Sequence, residues 1–286
     1  MFKILQKAWQ TGVVTTPYPA GPPRASEYFR GRPVFDFERW QDARPAAEAC
    51  PTGAITLDDS DETRQVTIDY GRCIFCGQCA LVSAEGAVRI TPEFELATSV
   101  RNDLLLTARY ALNPDGSHRE LLSRPESEPG AVVEDAGRKL RHKVHQMFGR
   151  SLAIRQVDAG SCNGCELEIV ALNNPVYDLE RFGIHFVASP RHADMLLVTG
   201  PVTRNMEFAL RKTYQAAPEP RLVVAVGACG ISGGIFGTDY ATRGGVDQVI
   251  PVDVFVPGCP PRPEALLHGI LLAVGRVTAP AGLHAR

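Results

Sequence analysis

The chain has 286 residues, 44% of them hydrophobic and 22% charged, with a net charge of −2. That length accommodates two domains with separate cores, and the near-neutral balance argues against a nucleic-acid partner, which calls for a basic face. No apolar run approaches the roughly 18 residues of a membrane-spanning helix. The first residues carry neither a twin-arginine signal nor a secretory cleavage pattern, so the expected compartment is the cytoplasm.

Residues 1–33 read as an arm. Phe2, Ile4, Leu5 and Trp9 share one helical face, Lys3, Lys7 and Gln10 surround it, and up to Arg32 the arm carries five basic residues and one acidic one. Such a helix suits an anionic membrane surface, a partner subunit, or packing on its own domain. Residues 34–111 form a compact α+β unit whose short strands, Ala54–Leu57, Gln65–Asp69 and Ala87–Thr91, lie near cysteine segments. Residues 112–150 turn polar and read as a linker followed by a basic helix. In residues 151–278 the apolar runs Ser151–Val157, His185–Ala188, Met195–Thr199, Leu222–Val226 and Asp253–Val256 predict buried strands. They alternate with predicted helices at Glu166–Asn173, Arg204–Ala216 and Pro263–Val277. That alternation predicts an α/β domain with a doubly wound, flavodoxin-like parallel sheet covered on both faces. Residues 279–286 are a tail.

All eight cysteines fall into two groups of four. Without a secretory signal, an even count reads as metal ligation in a reducing compartment rather than as disulfides. The run Cys73-Ile-Phe-Cys76-Gly-Gln-Cys79, with the remote pair Cys50-Pro51, has the spacing of a bacterial-type ferredoxin cluster. In a two-cluster ferredoxin a second set would lie where this chain has Trp40, Ala43, Ala46 and Ser83. One set is whole and the other wholly absent, a pattern that random loss does not produce. Structural zinc is the rival for four cysteines, and the layout favours iron–sulfur.

The second group is Cys162, Cys165, Cys229 and Cys259, within Gly160-Ser-Cys162-Asn-Gly-Cys165-Glu-Leu-Glu168, Gly227-Ala-Cys229-Gly230 and Pro257-Gly-Cys259-Pro-Pro-Arg-Pro263. Cys162, Cys229 and Cys259 each follow the carboxyl end of a predicted strand, where open α/β sheets bind ligands. The Gly-rich run Gly227–Gly237 matches neither G-x-G-x-x-G nor the P-loop, so no nucleotide or flavin is expected on this chain. Among the polar residues, Glu168 is a candidate for proton transfer, although a carboxylate near a helix N-terminus is also stabilised by the dipole alone. Glu166 is the weaker candidate, and His192 reads as a partner of Asp194 or a packing residue.

The N-terminal unit, including Tyr18-Pro19, Phe29-Arg-Gly-Arg-Pro33 and Glu93-Phe-Glu-Leu-Ala97, resembles the ferredoxin subunits of formate hydrogenlyase and respiratory complex I, with one cluster lost. Residues 151–277, through the cysteines and Asp178–Gly183, Ser189–Asp194 and Ser232–Phe236, resemble the small subunit of membrane-bound, energy-converting [NiFe] hydrogenases. That family shares ancestry with the complex I subunit carrying the terminal cluster. These families usually keep the two parts on separate polypeptides. The resemblance implies two [4Fe–4S] clusters, the second lying next to an active site on a separate large subunit, and it matches Glu168 to a carboxylate that relatives carry there. It also implies membrane-embedded partners, a ferredoxin-like or dehydrogenase donor, and a place on the cytoplasmic face of the inner membrane. Nickel is not expected here, since every cysteine is used. Cys162-x-x-Cys165, where complex I homologues have adjacent cysteines, favours the hydrogenase branch over a quinone-reducing arm. A zinc scaffold is the third reading.

Overall fold

The computed structural model describes residues 2–21, 26, 28–125 and 151–275. The basic helix expected before position 150 and the tail from 279 lie outside the described residues.

An amphipathic helix, α1 (Phe2–Thr11), opens the chain and is followed by an arm that turns at residues 18–20. The first unit follows: β1 (Pro33–Phe35), α2 (Arg44–Glu48), β2 (Ile55–Ser60), β3 (Thr63–Asp69), α3 (Gln78–Val82), β4 (Val88–Ile90), β5 (Leu105–Leu112) and β6 (His118–Ser123). β1 pairs with β4, and β2-β3-β5-β6 form a four-stranded antiparallel sheet. β3 alternates buried Arg64, Val66 and Ile68 with more accessible neighbours, the period of two expected of a sheet with one covered face. The sequence reading assigns His118–Ser123 to the linker, whereas the chain turns back there and pairs with β5. The polar text HRELLS hides this edge strand, because little of it is buried and no alternation survives.

The second unit comprises β7 (Leu152–Asp158), α4 (Gly164–Ala171), β8 (Ile184–Phe186), β9 (Met195–Thr199), α5 (Arg204–Ala216), β10 (Leu222–Val226), α6 (Gly227–Ser232), β11 (Val254–Val256) and α7 (Pro263–Ala273). Its strands form one parallel sheet in the order β11-β10-β9-β7-β8, the doubly wound arrangement read from the sequence. Both faces are covered. Leu196 and Val198 point to one side of β9, Met195 and Leu197 to the other, where Leu266, Leu267 and Ile270 of α7 pack.

The units share a core. One continuous cluster runs from Phe35, Trp40 and Val66 to Leu196, Val198 and Phe255. The open edge of β11 is closed by Thr98 of the first unit, which exchanges two backbone hydrogen bonds with Phe255, at 3.1 and 2.8 Å. The arm adds a third tie: Arg181 donates to the carbonyls of Thr16 and Tyr18, and the Tyr18 hydroxyl donates to Glu95 at 2.8 Å. No helix among the described residues is long and apolar enough to cross a membrane.

Candidate metal centres

The first quartet is built around the end of α2, the loop after β3 and the start of α3. Cys50 follows α2, and Cys73, Cys76 and Cys79 come from a loop that reverses through left-handed Phe75 (φ 54°) and Gly77 (φ 81°). That reversal turns the three thiols toward Cys50, and all four line one cavity with Pro33, Phe35, Ile55 and Ile68. The backbone N–H of Ala54 donates to Cys50 Sγ at 3.2 Å and that of Phe75 to Cys73 Sγ at 3.4 Å. Such donors stabilise thiolate charge. Burial pushes the Cys73 thiol up to about 12 and Cys79 up to about 11, and the neighbouring thiols add to the rise. A bound cation centre would relieve that repulsion among four deprotonated ligands.

The positions of the absent ferredoxin set are filled by core. Trp40 is 1% exposed, and Ala43 and Ala46 are fully buried with it. The indole packs 5.0 Å from the Phe35 ring and edge-on to His118, which stacks on Tyr110. Ser83 Oγ is buried with no hydrogen-bond partner among the described residues. A bulky indole, two alanines and a serine thus occupy the four positions.

The second quartet lies at the carboxyl edge of the parallel sheet. Cys162 and Cys165 span the turn from β7 into α4, Cys229 sits in α6 directly after β10, and Cys259 follows β11. The strands carry them together, and Cys162, Cys229 and Cys259 all act electrostatically on Cys165. Burial raises the Cys165 thiol, and it pushes Cys229 up to about 11, with Cys259 and Cys162 adding to that rise. Two glycines test the fit. At Gly227 (φ +77°) a Cβ would lie 3.0 Å from Cys165 Sγ, and at Gly234 (φ +55°) 2.9 Å from Cys229 Sγ. Only a residue without a side chain lets backbone approach the sulfurs so closely.

Among the described residues no three His, Cys, Asp or Glu side chains are placed to hold one metal ion. The donor set fits an iron–sulfur cluster, whose irons each take one cysteine, and at the first quartet all four cysteines line one cavity.

The other candidates separate clearly. Glu168 is half-buried near the second quartet, and burial raises its carboxyl despite the opposing pull of Arg262. Glu166 accepts from the Thr199 hydroxyl and from Gln156 Nε2, which makes it a structural tie to β9. Asp194 accepts the backbone N–H of Ala153, and His192 is exposed. Sequence reasoning passed over three residues. Arg30 donates to the Cys76 carbonyl at 3.0 Å, and Arg262 and Glu264, in the segment that follows Cys259, form a buried pair. The arginines stand inside the Phe29–Pro33 and Pro257–Pro263 segments, so the text held them without showing where they point.

Residues 162–273 match the family described as NADH ubiquinone oxidoreductase, 20 Kd subunit, and residues 47–82 match the 4Fe-4S dicluster domain. The second match contains the whole first quartet and excludes Trp40, Ala43, Ala46 and Ser83. A probable membrane-bound hydrogenase subunit of Pyrococcus furiosus is 49% identical over 143 residues, covering 49% of this chain and 86% of that one. The chain belongs to the 20 Kd subunit family. Formate hydrogenlyase subunit 7 of Escherichia coli is 47% identical over 144 residues, half of this chain (50%) and 56% of its own length. A subunit of the NADH-quinone oxidoreductase of Citrifermentans bemidjiense is 51% identical over 107 residues, 37% of this chain and 62% of that one. The chain therefore fuses a ferredoxin-like part to a small-subunit-like part, and iron–sulfur clusters are its cofactors.

Proposed function

We propose that this chain is the electron-transfer subunit of a membrane-associated, formate hydrogenlyase-like [NiFe]-hydrogenase complex. It holds one [4Fe–4S] cluster on Cys50, Cys73, Cys76 and Cys79 and a second on Cys162, Cys165, Cys229 and Cys259. Such a cluster takes up and releases single electrons. The observation that carries this reading is that Ile74 and Phe75, between first-quartet ligands, line the same interdomain cavity as Cys259. Two electron centres thus share one seam. The fusion fixes their spacing, which separate subunits would have to achieve by docking.

The electron donor, ferredoxin-like or a dehydrogenase, serves the first centre, and a hydrogenase-like large subunit covers the second. Cys162 and Cys259 are exposed, and Leu167, Val170, Ile235, Phe236 and Tyr240 surround that end of the sheet as exposed apolar side chains. An apolar patch of this kind marks a protein interface. Glu168, half-buried at this border, handles protons for the partner's active site. The arm fits attachment to the cytoplasmic face of the inner membrane: on α1, Ile4 is 74% and Trp9 87% exposed, with Lys3 and Lys7 alongside. Membrane-embedded subunits are the further partners.

The identity with the NADH-quinone oxidoreductase relative favours a second reading, a quinone-reducing arm. The sequence of the partner large subunit separates the two: paired C-x2-C motifs near both its ends support hydrogenase, and their absence supports quinone chemistry. The primary test is low-temperature EPR of the anaerobically purified, dithionite-reduced chain with iron and sulfide analysis. Two [4Fe–4S] signals are expected; zinc without iron overturns both electron-transfer readings.

A further inference from the structure

The seam between the two units holds a charge whose placement the fold specifies closely. Arg262 follows Cys259 and two prolines, yet its guanidinium reaches into the first unit, 4.7 Å over the Phe29 ring and 5.0 Å over the Phe94 ring. Its side chain is 13% exposed, and Nε and Nη2 make a bidentate pair with the buried Glu264, both bonds at 2.8 Å. The same arginine lines the interdomain cavity of about 240 Å³ that also touches Ile74, Phe75 and Cys259. A guanidinium does not lose its proton in a protein, so this is a permanent positive charge in a seam of low dielectric.

We infer that the Arg262–Glu264 pair sets the reduction potential of the second centre, with Arg262 as the positioning residue that raises it. Uptake of one electron makes the cluster and its four thiolates one unit more negative. A fixed cation on the wall of the cavity that Cys259 also lines stabilises that state, and the Glu264 carboxylate opposes it. The aromatic clamp adds precision: Phe29 of the arm and Phe94 of the first unit lie against the guanidinium, so docking completes the hold that Glu264 begins. Driving force between the centres is thereby tied to correct docking. Reach extends to Glu168, which feels both Arg262 and Glu264.

This inference rests on the proposed function, and the experiment keeps the two apart. Redox titration followed by EPR is run on the purified full-length chain, its Arg262→Gln, Arg262→Lys and Glu264→Gln variants, and the double variant Arg262→Gln/Glu264→Gln. The glutamine at 262 is expected to disfavour reduction of the second centre about tenfold, 59 mV downward for a one-electron couple. Glu264→Gln is expected to shift the same centre upward, Arg262→Lys to restore most of the wild-type potential, and the double variant to fall between the singles. The first centre should move less in every case. Because Arg262→Gln strands a buried carboxylate and can cost folding, Glu264→Gln decides alone if that variant does not accumulate. Shifts of the same sign for both single variants, or an unmoved second centre with both EPR signals intact, overturn the inference. A chain lacking iron–sulfur signals overturns the proposed function instead.

Discussion

The two quartets solve one problem by opposite routes. In the first unit three of the proposed ligands come from a single reversing loop, Cys73 to Cys79, and only Cys50 arrives from elsewhere. In the second, three separate strand ends bring the proposed ligands together over the span from Cys162 to Cys259. A loop can be altered and its site lost without disturbing a core, whereas a site at a sheet edge inherits the whole topology. The positions where a second ferredoxin set would lie illustrate the first case: they hold Trp40, Ala43, Ala46 and Ser83, and the indole and two alanines belong to the core of the unit.

The sharpest way to break the comparison is to remove one ligand from each side. Cys50→Ala should abolish the first EPR signal and leave the second, and Cys259→Ala should do the reverse; loss of the other centre's signal in either variant contradicts the ligand assignment. Next in size is Gly227→Ala. With φ at +77° and Cys165 Sγ only 3.0 Å from the new Cβ, the second centre should lose most of its iron while the first keeps its own, as quantified by metal analysis and spin counting. Full iron content would show that the backbone there has room to yield.

A third change probes the filled site. Trp40→Ala should cost about 3–5 kcal/mol of stability in chemical unfolding, through lost burial and a cavity, with both EPR signals retained in the folded protein. A cost near zero would mean that the indole merely occupies space. The smallest effect concerns charge in the first sheet. Arg64 is buried and its hydrogen bonds hold the Asp59 carboxyl below its ordinary value of 3.8. A carboxyl depressed in the folded state contributes stability above its unfolded value, and the contribution is lost as pH falls through the lower folded one. Melting temperature should therefore decline from about pH 5 to about pH 3 more steeply in the wild type than in Asp59→Asn. Parallel profiles would remove Asp59 from the acid response.

Legibility followed the range of the interactions. The strands Met195–Thr199 and Leu222–Val226 stand in the text as they stand in the fold, because fully buried parallel strands must be apolar throughout. Strand β5 and its edge partner β6 escaped, since LLTARYAL and HRELLS mix polar and apolar residues around a sheet that is only partly covered. The Arg262 pair escaped for another reason. Its partners, Phe29 and Phe94, lie far away in the chain, and no local pattern marks a side chain that crosses between domains.

The sequence by itself determined the chemistry. Eight thiols in two sets, glycines beside them and an alternation of strands and helices specify iron–sulfur ligation on a ferredoxin-like unit and a doubly wound sheet. Only the tertiary structure decided that the first four thiols face a common space, that Trp40 is part of the core, and that a clamped arginine lies in the seam between the units. Spacing along a chain encodes what a loop can reach. Distances between domains depend on how two cores pack, and that is settled by burial summed over many residues rather than by any motif.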